Sequence, residues 1–207
     1  MNPNRLPMPV LLLASCALPA GERWRPMLDP GSRDLWTITD YGGQGEVVFG
    51  AGHLILGAGS PLTGVTWRGP LPGERYEIEL RVTRLEGDDF FLGLTFPVRG
   101  KTLTLVLGGF GGTICGLSCL DGLDASENES RFLSAFETGR PYAVRLSVEP
   151  DRIRVWIDGR LRVDQRLEGR ELSVRAEVRP SRPLGLCSYA TRARVEGLAW
   201  RPAGRLE

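Results

Sequence analysis

Residues 141–166, PYAVRLSVEPDRIRVWIDGRLRVDQR, carry the clearest alternation of apolar and polar positions in the chain. Tyr142, Val144, Leu146 and Val148 alternate with Ala143, Arg145 and Ser147, the period-2 pattern of a strand with one buried face. Glu149-Pro150-Asp151 breaks the run, and Ile153, Val155 and Ile157 restart it with Arg154 and Trp156 on the opposite side. Asp158-Gly159 is a two-residue hairpin signal, because a type I′ turn needs positive φ at both central positions. Arg160 to Asp164 then returns in alternation, so this stretch predicts three consecutive antiparallel strands.

Similar short patterns run through the rest of the chain. Strands are expected at Leu35–Thr39, Glu46–Phe49, Leu54–Leu56 and Val65–Trp67, separated by glycine- and proline-rich turns. A longer strand is expected at Tyr76–Val82, where Tyr76, Ile78, Leu80 and Val82 face one way and Glu77, Glu79 and Arg81 the other. Phe90–Phe96, Leu103–Leu107 and Ile114–Leu120 follow. Arg131–Glu137 fits either a short strand or one helical turn; Leu172–Val178, Pro183–Tyr189 and Arg192–Arg201 complete the set. No segment keeps a helical period over the 11 or more residues that a helix requires. Many short strands with regular turns predict an all-β, two-sheet antiparallel jelly-roll sandwich in a single domain.

The amino-terminal residues depart from this pattern. Arg5 precedes a short apolar run from Val10 to Ala14, as in a secretory leader, and the run is too short to span a bilayer. Leu13-Ala14-Ser15-Cys16 resembles the bacterial lipobox, which implies cleavage before Cys16, lipidation of its sulfur and anchoring in the cell envelope. The expected division is therefore leader 1–15, tether 16–34 and sandwich 35–207. Composition narrows the picture further. Hydrophobic residues make up 42% of the 207 residues, enough for a sizeable core, and the net charge of +1 offers no concentrated basic face for nucleic acid.

Trp36-x-Ile38-x-Asp40, the Tyr76–Arg81 strand and Gly139-Arg140-Pro141-Tyr142 leading into Val155-Trp156-Ile157-Asp158-Gly159 together resemble the concanavalin A-like lectin/glucanase group. Within that group the chain is most similar to bacterial domains of the 3-keto-disaccharide hydrolase or family-16-hydrolase-like type. The resemblance spans roughly Leu35 to Arg201 and implies a jelly roll with a concave face that often binds sugars. Family 16 glucanases carry a Glu-x-Asp-x-x-Glu or Glu-x-Asp-x-Glu strand, which this chain lacks.

Several residues are candidates for chemistry. Glu77 and Glu79 share one strand face at about 6.5–7 Å, between the carboxyl spacings of retaining and inverting glycosidases. The plainer alternative is a solvated face balanced by Arg75, Arg81 and Arg84. Trp156, facing away from the apolar row, suits a sugar-stacking platform, with Trp67 and Tyr189 as weaker candidates. Asp88-Asp89 and the loop residues Asp121, Asp124 and Asn128 are oxygen-rich and would suit calcium, although their spacing is not that of an EF-hand. Apart from that ion, no cofactor is implied. Cys115 and Cys119 are too far apart on one strand for a disulfide, while a bridge from Cys187 to either is open. With His53 as the sole histidine and no nucleophile motif around any serine, nothing in the sequence points to a Ser-His-Asp hydrolase. Gly108-Gly109-Phe110-Gly111-Gly112 lacks a Walker lysine and reads as a β connection.

These observations lead first to an exported, envelope-anchored and non-catalytic carbohydrate-binding or adhesion module whose partner is a glycan or surface polysaccharide. The alternatives are a glycan or 3-keto-disaccharide hydrolase using Glu77 and Glu79, and a structural envelope protein without ligand.

Overall fold

The computed structural model of the chain describes residues 23–203, so the leader and Cys16 lie outside the described residues. Numbered in chain order, the strands form two antiparallel sheets packed face to face. The first sheet runs β13 (Arg160–Arg166), β12 (Arg152–Ile157), β11 (Pro141–Val148), β6 (Tyr76–Glu86), β15 (Arg192–Pro202), β4 (His53–Leu56) and β3 (Val47–Gly50). A short β1 (Arg25–Pro26) pairs with β15 where β4 stops. The second sheet runs β10 (Phe132–Leu133), β9 (Ile114–Ser118), β8 (Lys101–Gly108), β7 (Leu92–Val98), β14 (Gly185–Tyr189), β5 (Leu62–Trp67) and β2 (Trp36–Ile38). This is the jelly-roll sandwich that the strand pattern predicts.

The alternation decides which side chains fill the space between the sheets. Tyr76, Ile78, Leu80 and Val82 of β6 and Tyr142, Val144, Leu146 and Val148 of β11 point inward. They meet Leu92, Leu94 and Phe96 of β7 and Leu103, Leu105 and Leu107 of β8, all buried in one continuous core. Such burial contributes about 1.5–3 kcal/mol per large side chain. The Asp158-Gly159 turn has the expected positive φ at both residues, 49° and 77°. One register shift follows it: Val155 pairs with Val163 but Trp156 pairs with Leu161, so Arg162 is an extra residue. The bulge turns Leu161, 49% exposed, onto the outer face beside Trp156.

Three expectations are corrected. The last ten residues of the proposed tether belong to the domain: Met27 is 1% exposed, its N–H donates to the Leu198 carbonyl, and its own carbonyl accepts the Trp36 indole N–H. Residues 172–178 do not form a strand. Leu172 makes a single bridge to Leu120, and a 3-10 turn follows at Ala176–Ser181. This segment lies across the outer face of the second sheet, where Val174 and Val178 pack with Leu62 and Cys187. Both of its valines go down onto one sheet instead of extending another. Finally, Cys115, Cys119 and Cys187 are free and buried, so the open possibility of a bridge from Cys187 is not realised. Burial pushes the Cys115 and Cys187 thiols up to about 12, which leaves neither as a nucleophile at neutral pH.

Candidate functional site

The outer face of the second sheet is built from small residues. Gly93 of β7 and Gly64 of β5 face outward beside Cys187 of β14, and a Cβ at Gly93 would lie 2.7 Å from Cys187 Sγ and 3.2 Å from the Phe90 ring. Glycine at 93 therefore lets the Phe90 ring lie against the sheet, tilted onto Tyr189 at 5.6 Å between centroids. Thr104 and Val106 of β8 and Ser118 of β9 extend this floor. Thr104 is already hydrogen-bonded to Thr95 at 2.9 Å.

Loops stand around the floor, following β6, β8 and β9 in turn. They are residues 87–91, the turn 109–113, the polar loop 120–130 and the start of the crossing segment at 175–178. Between them lies a cleft of about 200 Å³ lined by Phe90, Phe110 and Tyr189 on the apolar side and Asp89, Asp124, Arg175 and Glu177 on the polar side. Its size falls below the roughly 300–1,000 Å³ of drug-sized ligand sites and suits one small ring.

The polar groups are tied down by specific bonds. Asp89 Oδ1 accepts the N–H of Phe90 at 2.7 Å and of Phe110 at 3.2 Å, joining the two loops that carry those rings. Asp124 Oδ1 accepts the Ser126 N–H at 2.8 Å and its hydroxyl at 2.6 Å, while Oδ2 takes Arg175. Partial burial pushes the Asp124 carboxyl up, but the two Ser126 bonds and the Arg175 guanidinium outweigh it and hold the group below the usual aspartate range. Arg175 also binds Glu177 through Nε at 2.5 Å. The cleft thus presents carboxylates whose only internal cation is shared between two of them.

Of the residues singled out from the sequence, Tyr189, Asp89 and Asp124 come together in this cleft. Trp67 does not: it is 4% exposed, packs edge-on against Trp36 at 5.0 Å and donates to the Pro70 carbonyl, so neither ring face is open. Trp156 lies on the outer face of the first sheet as expected, in a larger depression of about 770 Å³ with Glu79, Arg81, Arg145 and Glu196. The Arg145 guanidinium sits 4.1 Å above its ring and occupies the stacking face. Glu77 and Glu79 are on that same face. Glu77 is held by Arg201 at 2.5 and 2.8 Å, with Arg145 at 3.9 Å. Burial, opposed by Arg201 and reinforced by Glu77, raises the Glu79 carboxyl above its usual range. The balancing cations are therefore Arg201 and Arg145. Arg75 pairs with Glu149 instead, and Arg84 points into the sandwich.

The calcium set does not fit that ion. Asp121 accepts Arg170 and the Glu171 N–H, Asp124 is committed as above, and Asn128 turns its amide N–H groups toward the carbonyls of Leu117, Leu123 and Asp124. Among the described residues, no three His, Cys, Asp or Glu side chains converge on one point. Phe90, Phe110, Arg175 and Glu177 escaped the sequence reading as site residues, and Asp89 entered it only as an oxygen donor for calcium. Their common signal, a place in connections that fold over one sheet face, exists only once the topology is known.

No family model matches the chain, and no curated protein matches it. Solved structures do. Carbohydrate binding module CBM66 from Bacillus subtilis superposes with a TM-score of 0.51 at 13% identity, covering 81% of this chain and 95% of that one. The exoplasmic/lumenal domain of VIP36, in a form bound to Ca2+ and Man3GlcNAc, gives 0.57 at 11% identity over 87% and 89%. The transglycosylase Crh5 without ligand gives 0.55 at 9% identity over 90% and 85%. At these identities the likeness establishes the fold, a concanavalin A-like jelly roll.

Proposed function

We propose that this domain binds a neutral glycan in the cleft between Phe90, Phe110, Tyr189 and Asp89, without cleaving it. The observation that carries this reading is the pairing of an open aromatic wall with fixed carboxylate acceptors in a hollow the size of one sugar ring. A pyranose offers an apolar face and a rim of hydroxyl donors, which match such a wall and such acceptors. CBM66 and the glycan-bound VIP36 domain, whose folds this chain shares, support the assignment. Hydrolysis is less well supported. A glycosidase needs a carboxylic acid held protonated near neutral pH; Asp124 in the cleft is shifted the opposite way, and Glu79, which is raised, lies on the other sheet's outer face, away from the cleft. Glu77 is committed to Arg201 on the far side of the molecule. The test is a glycan array probed with the chain and with Phe110→Ala and Tyr189→Ala. Selective binding lost in both variants is the expected result; binding unaffected by either removes the cleft from consideration.

Envelope anchoring through Cys16 rests on the Leu13–Cys16 tetrad alone and is proposed with the binding role. Cys16→Ala is expected to shift the protein from the membrane fraction to the soluble fraction of an expressing bacterium. Unchanged fractionation would remove the anchor.

A further inference from the structure

Arg84 closes the inward-facing row of β6 after Tyr76, Ile78, Leu80 and Val82, and is 7% exposed. Its guanidinium lies 5.1 Å from the Phe91 ring centre, and Nη2 donates to the Gly112 carbonyl at 3.0 Å. Nε has no partner, and no carboxylate among the described residues pairs with the side chain. A buried charge in this state is costly. Replacing such a group by an apolar side chain of similar volume is often neutral or stabilising, so stability alone does not account for an arginine here.

What Arg84 does touch is the turn between β8 and β9. A Cβ at Gly108 would lie 2.7 Å from Nη2, and one at Gly112 would lie 3.3 Å from Nη1 and 2.8 Å from the Asp88 carbonyl. The glycines bring the main chain down onto the guanidinium. Between them Phe110 takes left-handed backbone, φ 53° and ψ 54°, with its ring 50% exposed at the mouth of the cleft. A non-glycine residue held there carries strain that the surroundings must impose. The turn is gripped from beneath by Arg84 at Gly112 and from the side by Asp89 at the Phe110 N–H.

We propose that Arg84 is a positioning residue for the glycan cleft: from inside the sandwich it presets the 108–112 turn so that Phe110 stands against the ligand before the ligand arrives. The proposal rests on the binding role argued above, and preorganisation of this kind raises affinity by reducing what must be ordered on binding. The experiment compares the chain with Arg84→Met, Arg84→Lys and Arg84→Met/Phe110→Ala. It measures amide hydrogen exchange in the free protein and affinity for methyl α-mannoside, methyl β-glucoside and methyl β-galactoside. Arg84→Met is expected to speed exchange at residues 108–113 and not in the sheets. It is expected to weaken glycoside binding by about tenfold (~1.4 kcal/mol), with no further loss beyond that of Phe110→Ala in the double variant. Arg84→Lys, which keeps a donor for Gly112, is expected to recover part of both effects, and it serves for both measurements if Arg84→Met does not fold. Unchanged exchange at 108–113 overturns the proposal whether or not any glycoside binds. Losses that simply add in the double variant overturn it as well. Failure of the unmutated chain to bind any glycoside counts against the binding role, while the exchange result still decides whether Arg84 fixes the turn.

Discussion

Gly112 and Gly122 look alike in the sequence, and both lie in left-handed backbone, with φ of 97° and 79°. Their surroundings separate them. A Cβ at Gly122 meets nothing within 4 Å, whereas one at Gly112 meets the Asp88 carbonyl at 2.8 Å and the Arg84 guanidinium behind it. Alanine at 122 therefore faces only the conformational cost, about 1–2 kcal/mol. Alanine at 112 adds a clash with main chain that cannot swing away, and is expected to cost about 2–3 kcal/mol and to disturb binding as well. Urea titration of the two variants checks this; equal losses would show that the turn yields where the geometry says it is pinned. Phe110, between Gly109 and Gly111, is the residue this arrangement serves. Its position makes a large aromatic ring at a glycine-rich tip a feature of the site.

At the scale of elements, the cleft depends on loops that lean on one another. Asp124 in the 120–130 loop grips Arg175 in the crossing segment, and its carboxyl side chain is only 12% exposed. Because the folded state holds this carboxyl below its usual value, its contribution to stability is fully present above about pH 3.9 and fades as the pH falls through the lower folded value. Asp124→Asn is thus expected to lower stability by about 1–2 kcal/mol at pH 7. The gap should close once the pH falls below the lowered folded value, where the wild-type residue is also neutral. A gap that persists in acid would assign the effect to packing and not to the ion pair. These elements also mark how far the sequence could be read. The β11–β13 meander was legible because each strand has one buried and one wet face, and Asp158-Gly159 names its own turn. Residues 172–178 misled because two valines on a covering segment have the same spacing as two on a strand. Trp67 misled because an aromatic residue in a short apolar run gives no sign of which sheet will cover it, whereas Tyr189 fell by the same reasoning at the edge of the cleft. Asp89 and Arg175 could not be paired from sequence, since 86 positions separate them and only the packing of loops on one sheet brings both to one hollow.

The molecule as a whole offers two outer faces, and their electrostatics differ in a way that decides between them. Most charged groups on the face of the first sheet are in internal pairs, with Glu79 and Arg81 beside Trp156 outside them among the described residues. Glu77 takes Arg201 and Arg145, Glu149 takes Arg75 and Arg154, Asp164 takes Arg152, and Glu196 takes Arg194. Arg145 also lies over Trp156. A sugar arriving there must lift a guanidinium from an indole and disturb satisfied pairs, although each exposed pair is worth only about 0–1 kcal/mol. The cleft on the second sheet asks for no such displacement: Phe110 is already exposed and the Asp89 acceptor is already fixed by two N–H groups. Trp156→Ala is therefore expected to leave glycan affinity within about twofold, while Tyr189→Ala weakens it about tenfold, the scale of an aromatic contact of ~1.4 kcal/mol. Both variants are expected to stay folded, since neither ring lies in the continuous core between the sheets. Isothermal titration of the two against a glycan selected on the array gives the comparison directly. The reverse order of losses would move the site to the first sheet, and would mean that Arg145 leaves Trp156 to let the sugar stack in its place.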